Sequence, residues 1–375
     1  MKKTLALLLA LIMLFSFAAC GGKQPANNTE NNAVVPENTA NTENNTNNTN
    51  NTENTVPDTP PEPPKPKYTN PLSGEATEED LSKNCPWGIM TNNIVYAIPQ
   101  HGISQAELVF EMNAEGNITR FIAFYQNITK DSGRIGSIRS ARPYYLDWAL
   151  AFDCIYVHAG GSKTANSQIP KRGVNDINTL GGNNYPKYFY RDEERKKAGY
   201  AIEHTMFTTG ELLTQLKADR PEMRQTHKEG YKCSLTFTDT AQTANGTAAT
   251  SLDVKMNSNK HTIFDYDTAT KQYFISEYGD QMIDGETKEK LSVKNVFVLF
   301  TKYWHEFSGS TTLLADMSGG KGVYACEGKM IEIEWKRTDE GGLKIYTTDG
   351  KEVSFAVGHS FFCCADSASG GYEAK

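Results

Sequence analysis

Three arginines in one polar, glycine-containing loop, Arg134, Arg139 and Arg142, offer planar guanidinium forks that grip two oxygens of a phosphate or carboxylate at once. Arg142 precedes Pro143, a residue suited to opening a helix, and unpaired N–H groups at a helix amino terminus favour an anion. Downstream, His158-Ala159-Gly160-Gly161-Ser162 adds a histidine able to give or take a proton and two glycines that let backbone approach a ligand closely. If the two segments meet, Arg139, Arg142, His158, Gly160, Gly161 and Ser162 line an anion pocket, with Arg134, Arg191 and His204 able to reach the same edge. His158, Asp147 and His204 are the candidates for proton transfer, and Asp153 is a weaker one. The same residues also read as structure, with the arginines, Arg134 above all, paired to Asp147, Asp153 or Glu111 and His158 satisfied at a strand end.

Strand and helix patterns alternate from Ile94 to about Asp219. Aromatic and β-branched runs at 94–98, 108–112 and 118–125 have strand length, and 154–157 reads as a short buried strand. Between the last two, a helix opened by Pro143 places Tyr145, Trp148, Ala149 and Phe152 on one face. A second helix, capped by Thr208 or Thr209, runs through Leu212, Leu213 and Leu216. A right-handed crossover from 118–125 to 154–157 makes those strands parallel neighbours, so that their carboxyl ends bring the two loops together.

After Cys233 the apolar period becomes two, and Glu327-Gly328-Lys329 and Asp349-Gly350 read as hairpin turns. The expected fold is α+β: an α/β domain over 68–237 with a short, partly parallel sheet, joined near 238–251 to a mainly antiparallel β-rich domain over 238–375.

Upstream, Lys2 and Lys3 precede an apolar run from Leu5 to Phe17 that is short for a membrane span and reads as an export signal over 1–19. It ends in Phe17-Ala18-Ala19-Cys20, where small residues before a cysteine mark Cys20 for lipidation; Phe17 stands where such sites usually carry Leu. Two or three acyl chains anchor stably where one does not, so the expected location is the extracytoplasmic face of the cell membrane. Residues 20–67 form a tether rich in Asn, Thr, Pro and Glu, with too few apolar residues to fold and a mean reach of about 35 Å.

The chain's formal charge is −7. Without Lys2, Lys3, Lys23 and the tether acids Glu30, Glu37, Glu43, Glu53, Asp58 and Glu62, the body remains acidic, which gives no footing for nucleic acid. Six body cysteines permit disulfides outside the membrane, but their spacing favours buried free thiols. No Gly-x-Ser-x-Gly elbow, phosphate-binding loop or His-x-x-x-His pair occurs, and neither a cofactor nor a metal is expected. Ser318-Gly319-Gly320-Lys321 formally matches the Ser-x-x-Lys of penicillin-interacting enzymes, but that chemistry needs a helix start and this is a glycine-rich stretch between strands.

Five segments carry a resemblance: Asn70-Pro71-Leu72-Ser73-Gly74, the run from Gly102 to Glu111, Ile118-Thr119-Arg120-Phe121, the run from Ile135 to Pro143, and Tyr156 to Ser162. They resemble the YerB-like lipoproteins of Gram-positive bacteria, a two-part domain of unknown function, over nearly all of the body. The resemblance implies an envelope lipoprotein of two joined domains and no established reaction. A Pro-His pair of the family stands here as Glu203-His204, and a histidine of its β half is replaced near Met282. The expected function is to hold an anionic envelope ligand or an envelope protein partner at the arginine-rich edge. The competing expectations are an enzyme acting on a phosphate-bearing envelope precursor and a scaffold that binds no small ligand.

Overall fold

The computed structural model describes residues 67–182, 185–338 and 342–375. The expected signal over 1–19, Cys20 and the tether up to residue 66 lie outside them. β-branched and aromatic runs from both halves become strands of one eleven-stranded sheet. They are β1 (Trp87–Asn93), β2 (Leu108–Asn113), β3 (Thr119–Tyr125), β4 (Ile155–His158), β5 (Asp176–Asn178), β6 (Thr247–Ala248), β7 (Asn295–Leu299), β8 (Gly319–Cys326), β9 (Lys329–Thr338), β10 (Gly342–Thr347) and β11 (Ser360–Cys364). The neighbour order is β6-β9-β8-β7-β11-β2-β3-β1-β4-β5, with β10 also on β9. β11, the last strand of this sheet in chain order, lies parallel to β7 on one side and to β2 on the other, so the two sequence halves share a continuous ladder. The segment expected as a joint, 238–251, itself carries β6 back into this sheet.

Successive residues of a strand face opposite ways, and the central strands are buried on both sides. Leu108, Phe110 and Met112 of β2 face helix α1 (Tyr145–Ala151), where Phe110 meets Trp148 at 4.3 Å and stacks on Phe362 at 4.1 Å between ring centres. Val109 and, on β11, Phe361 face a six-stranded antiparallel sheet built on Ser251–Lys255, His261–Asp267, Gln272–Glu277 and Gly371–Ala374, with Phe264 against Phe361 at 5.3 Å. Burying each such ring contributes about 1.5–3 kcal/mol. The described cysteines are free; neighbouring Cys363 and Cys364 point to opposite faces.

Two sequence expectations change. Residues 94–98 are not a strand: Val95–Ala97 is a 3-10 turn that leaves Tyr96 exposed, and the strand is the preceding β1. Thr91, Asn92 and Asn93 mask that strand in the sequence because the amide nitrogens of the two asparagines find their partners far along the chain, His204 for Asn92 and Glu111 and Glu277 for Asn93. Second, β3 and β4 are not parallel neighbours. β1 lies between them, antiparallel to β3 and parallel to β4. The expected helix after Pro143 forms as α1, two residues later, and α4 (Gly210–Asp219) is capped by Thr209, whose Oγ1 accepts from the Leu212 N–H at 3.1 Å. Two short helices, α2 (Lys163–Lys171) and α3 (Glu193–Lys197), had no clear sequence signal. Ser318 stands at the entrance to β8, not at a helix start, which removes the Ser-x-x-Lys chemistry.

Where the two sheets meet, a polar cluster is sealed from water. The Lys260 ammonium lies 3.3 Å from Glu111 and 3.1 Å from Glu277, while Asn93 donates to both carboxylates at 3.1 Å. Thr119 and Thr262 each donate to Glu111 at 2.6 Å. One ammonium neutralises one carboxylate, and Glu277 Oε2 has no partner. Burial, opposed by Lys260, pushes the Glu277 carboxyl up from 4.5 to about 8, so it holds a proton at neutral pH. Between those two values the unfolded chain has released this proton and the folded chain retains it, so the contribution to stability is lost as pH rises through that window. Glu277→Gln, which keeps the group neutral, is expected to flatten the fall in Tm between pH 5 and pH 8 and to exceed the parent by about 2–4 °C at pH 8. Melting curves that stay parallel across that range would contradict this.

Candidate functional site

The two glycine-containing segments do meet, by a route the strand pattern did not show. Past β1, the chain at 139–141 forms a short ladder with the extension of β4: Arg139 N–H donates to Met90 O, Ala159 N–H to Arg139 O and Ala141 N–H to Gly160 O, each at 2.9 Å, and Ser162 N–H to Ala141 O at 3.2 Å. Gly160 has φ +68°, a backbone conformation that favours glycine, and a Cβ on Gly161 would fall 2.4 Å from Asn166 Oδ1, so the Asn166 side chain would have to turn aside. Ser162 then caps α2, its Oγ accepting from Ala165 N–H at 3.1 Å.

This ladder separates the predicted arginines. Arg134 lies at the far end of its segment, with Nε 2.9 Å from Glu286 and Nη1 3.3 Å from Asp192, and locks the β half onto the α/β half. Arg139 turns toward the loop at 202–204 and donates from Nη1 to Glu203 O at 2.9 Å, beside Arg191, whose Nη1 donates to Ile202 O at 2.5 Å. Burial, then the neighbouring Arg120 charge, pull the Arg139 guanidinium down to about 10. Arg142 goes the other way, its Nε 2.6 Å from Glu115 Oε1. Burial would raise the Glu115 carboxyl, and the Arg142 hydrogen bond and charge outweigh it, holding it below its ordinary value.

Between Arg139 and Arg142 sits a residue that sequence reasoning left out of the site. Arg120 of β3 is 4% exposed, donates from Nη1 to Ser140 O at 2.9 Å, and has no hydrogen-bond partner at Nε. Burial, then the Arg142 charge, lower its pKa. Among the described residues no carboxylate forms an ion pair with Arg120 or Arg139, and Glu115 pairs with Arg142. The available signal was a cation inside the otherwise apolar strand Thr119–Tyr125.

Arg120 and Arg142 line a cavity of about 680 Å³ together with Glu115, Ser162 and Lys163 at the amino end of α2. Its opposite wall is residues 306–312, the loop of a hairpin formed by Tyr303–His305 and Leu313–Ala315. Tyr303 Oη anchors that hairpin by donating to Cys364 O at 2.9 Å, and Thr164 Oγ1 donates to Glu306.

The candidate proton-transfer groups lie elsewhere. His158 is buried, with Nδ1 2.7 Å from Gly160 O and Nε2 3.1 Å from Asp176, so both ring nitrogens face oxygen acceptors within the protein. Asp147 pairs with Arg172 at 2.7 Å and Arg337 at 3.2 Å. His204 Nδ1 lies 2.7 Å from the Asn92 amide, and burial, then Arg139, lower its pKa. At the other end of β4, Cys85, Asp153 and His227 bring one ligand atom each within 4.8 Å of one another. Arg224 already grips both oxygens of Asp153 at 2.8 Å there, and Lys228 N–H donates to the same carboxylate.

The fold and the cavity define an α+β protein whose two sequence halves share one mixed sheet, with a cationic hollow at the edge where β4 ends. Residues 72–224 match the N-terminal domain, and residues 252–362 the C-terminal domain, of the family described as a protein of unknown function (DUF3048). The chain belongs to this family. It is 28% identical over 303 residues to a putative lipoprotein, YerB, of Bacillus subtilis strain 168, a match covering 79% of this chain and 85% of that protein. The crystal structure of the YerB protein from Bacillus subtilis superposes with a TM-score of 0.69 at 25% identity, covering 81% of this chain and 99% of that one.

With both ring nitrogens engaged internally, His158 acts on the fold: His158→Ala is expected to cost about 1–3 kcal/mol, read as a lower Tm, with phosphate affinity kept within twofold. An unchanged Tm with phosphate binding abolished would return His158 to the site.

Proposed function

We propose that this chain is a lipid-anchored envelope protein that holds an anionic, phosphate- or carboxylate-bearing envelope molecule in the cavity between Arg120, Arg142 and the amino end of α2. The observation that carries this reading is Arg120, a guanidinium held in a nearly water-free position with one nitrogen unpartnered and, among the described residues, no carboxylate paired to it. Burying a charge without a counter-charge is costly, and a ligand anion would supply the missing partner. Lys163, exposed at the start of α2, and the unpaired N–H groups of that helix add to the same field.

The anchor rests on Phe17-Ala18-Ala19-Cys20 and on the description of the Bacillus subtilis relative as a putative lipoprotein. No helix among the described residues is long and apolar enough to cross a membrane. Holding is favoured over turnover because His158, Asp147 and His204 are each engaged by protein groups away from the cavity.

Calorimetric titration of the chain from residue 20 onward, carrying Cys20→Ser, tests this with inorganic phosphate. Binding is expected, weakening as salt is raised. Arg120→Met is expected to lose at least tenfold in affinity, with Tm held or raised, because an unpaired buried charge gives way to an apolar side chain. No binding at millimolar phosphate, or unchanged binding by Arg120→Met, would overturn the reading.

A further inference from the structure

The cavity has a second wall that holding a bare anion does not use. Phe307 lines it and is 65% exposed, an unusual position for a large apolar ring at the mouth of a cationic hollow. Glu306 lies beside it, with one carboxylate oxygen taking the Thr164 hydroxyl. Ser310 and Thr312 add hydroxyls, and Thr312 N–H donates to Ser310 Oγ at 3.1 Å, which holds the loop in shape.

A bare phosphate has no use for an aromatic face, and a carboxylate beside it is unfavourable. A ring with an apolar face and hydroxyls at its rim fits both: the face lies on Phe307, and the hydroxyls donate to Glu306 and exchange hydrogen bonds with Ser310 and Thr312. The cavity, at about 680 Å³, falls within the range of roughly 300–1,000 Å³ typical of small-ligand sites. We propose that it takes a phosphate-bearing sugar unit, with the phosphate at Arg120, Arg142 and the amino end of α2 and the sugar ring laid on Phe307. Glu306, Ser310 and Thr312 offer hydrogen bonds that sugar hydroxyls can use and lipid tails cannot, which favours this over docking to an anionic membrane. The inference rests on the anion-holding reading above and assigns the remaining half of the same cavity.

The test titrates the same Cys20→Ser chain with inorganic phosphate, glucose 1-phosphate and N-acetylglucosamine 1-phosphate, and sediments it with vesicles containing phosphatidylglycerol. At least one sugar phosphate is expected to bind tenfold or more tightly than inorganic phosphate. Phe307→Ala is expected to remove most of that advantage while leaving phosphate affinity within twofold, and Glu306→Gln to weaken the sugar phosphate without weakening phosphate. Phosphate binding with no gain from either sugar would overturn the sugar assignment and leave the anion-holding reading standing. Failure of all three ligands to bind would remove both. Sedimentation with vesicles that Phe307→Ala abolishes, again without a sugar advantage, would reassign the hairpin to the membrane surface and overturn the proposal.

Discussion

The parallel seating of β11 between β7 and β2 is the constraint on which the rest of the molecule depends. A strand from near the end of the chain is hydrogen-bonded on one side to the β half and on the other to the α/β half. Its alternating side chains enter both cores, Phe361 against the six-stranded sheet and Phe362 against Phe110. A slip of one residue would exchange those faces, so burial on both sides pins the register. That register holds β2 beside β3, which sets Arg120 at the cavity floor, and the Cys364 carbonyl of β11 anchors the hairpin that forms the opposite wall.

Two buried charge arrangements in this sheet resolve differently. At the sheet-to-sheet junction, Lys260 answers one of two carboxylates and the other keeps a proton, so the cluster is closed. At the edge where β4 ends, Arg120 feels the charge of Arg142 and Arg139 that of Arg120, and among the described residues the one ion pair any of them forms is that of Arg142 with Glu115; guanidinium groups do not shed protons so easily. An arrangement that costs stability without an internal partner points outward, to a ligand carrying the opposite charge. Arg134, with two carboxylates at close range, shows what a purely structural arginine looks like in the same segment.

Much of the fold was legible because its signals are local: the two-residue period after Cys233, the Glu327-Gly328 turn with both residues at positive φ, and the Thr209 cap. What stayed hidden depended on partners far along the chain. β1 carries Thr91, Asn92 and Asn93, and a strand ending in two asparagines looks like a turn until His204, Glu111 and Glu277 are seen to complete it. Missing β1 made β3 and β4 look like neighbours. Of the residues picked out by type and spacing, Arg142 and Ser162 line the candidate cavity, while Gly160 and Gly161 shape the turn beside it. Arg120 was not among them, since nothing local tells a buried strand cation from one at an edge. The hairpin wall belongs to the other half of the sequence and carries no motif.

A crystal structure of residues 67–375 grown in sulfate addresses the cationic hollow most directly. The account requires a sulfate in the cavity lined by Arg120 and Arg142, hydrogen-bonded to one of those guanidiniums or to the amino end of α2. A structure with no anion there, and with Arg120 Nε satisfied by a protein carboxylate, would show the arginines to be part of the framework alone.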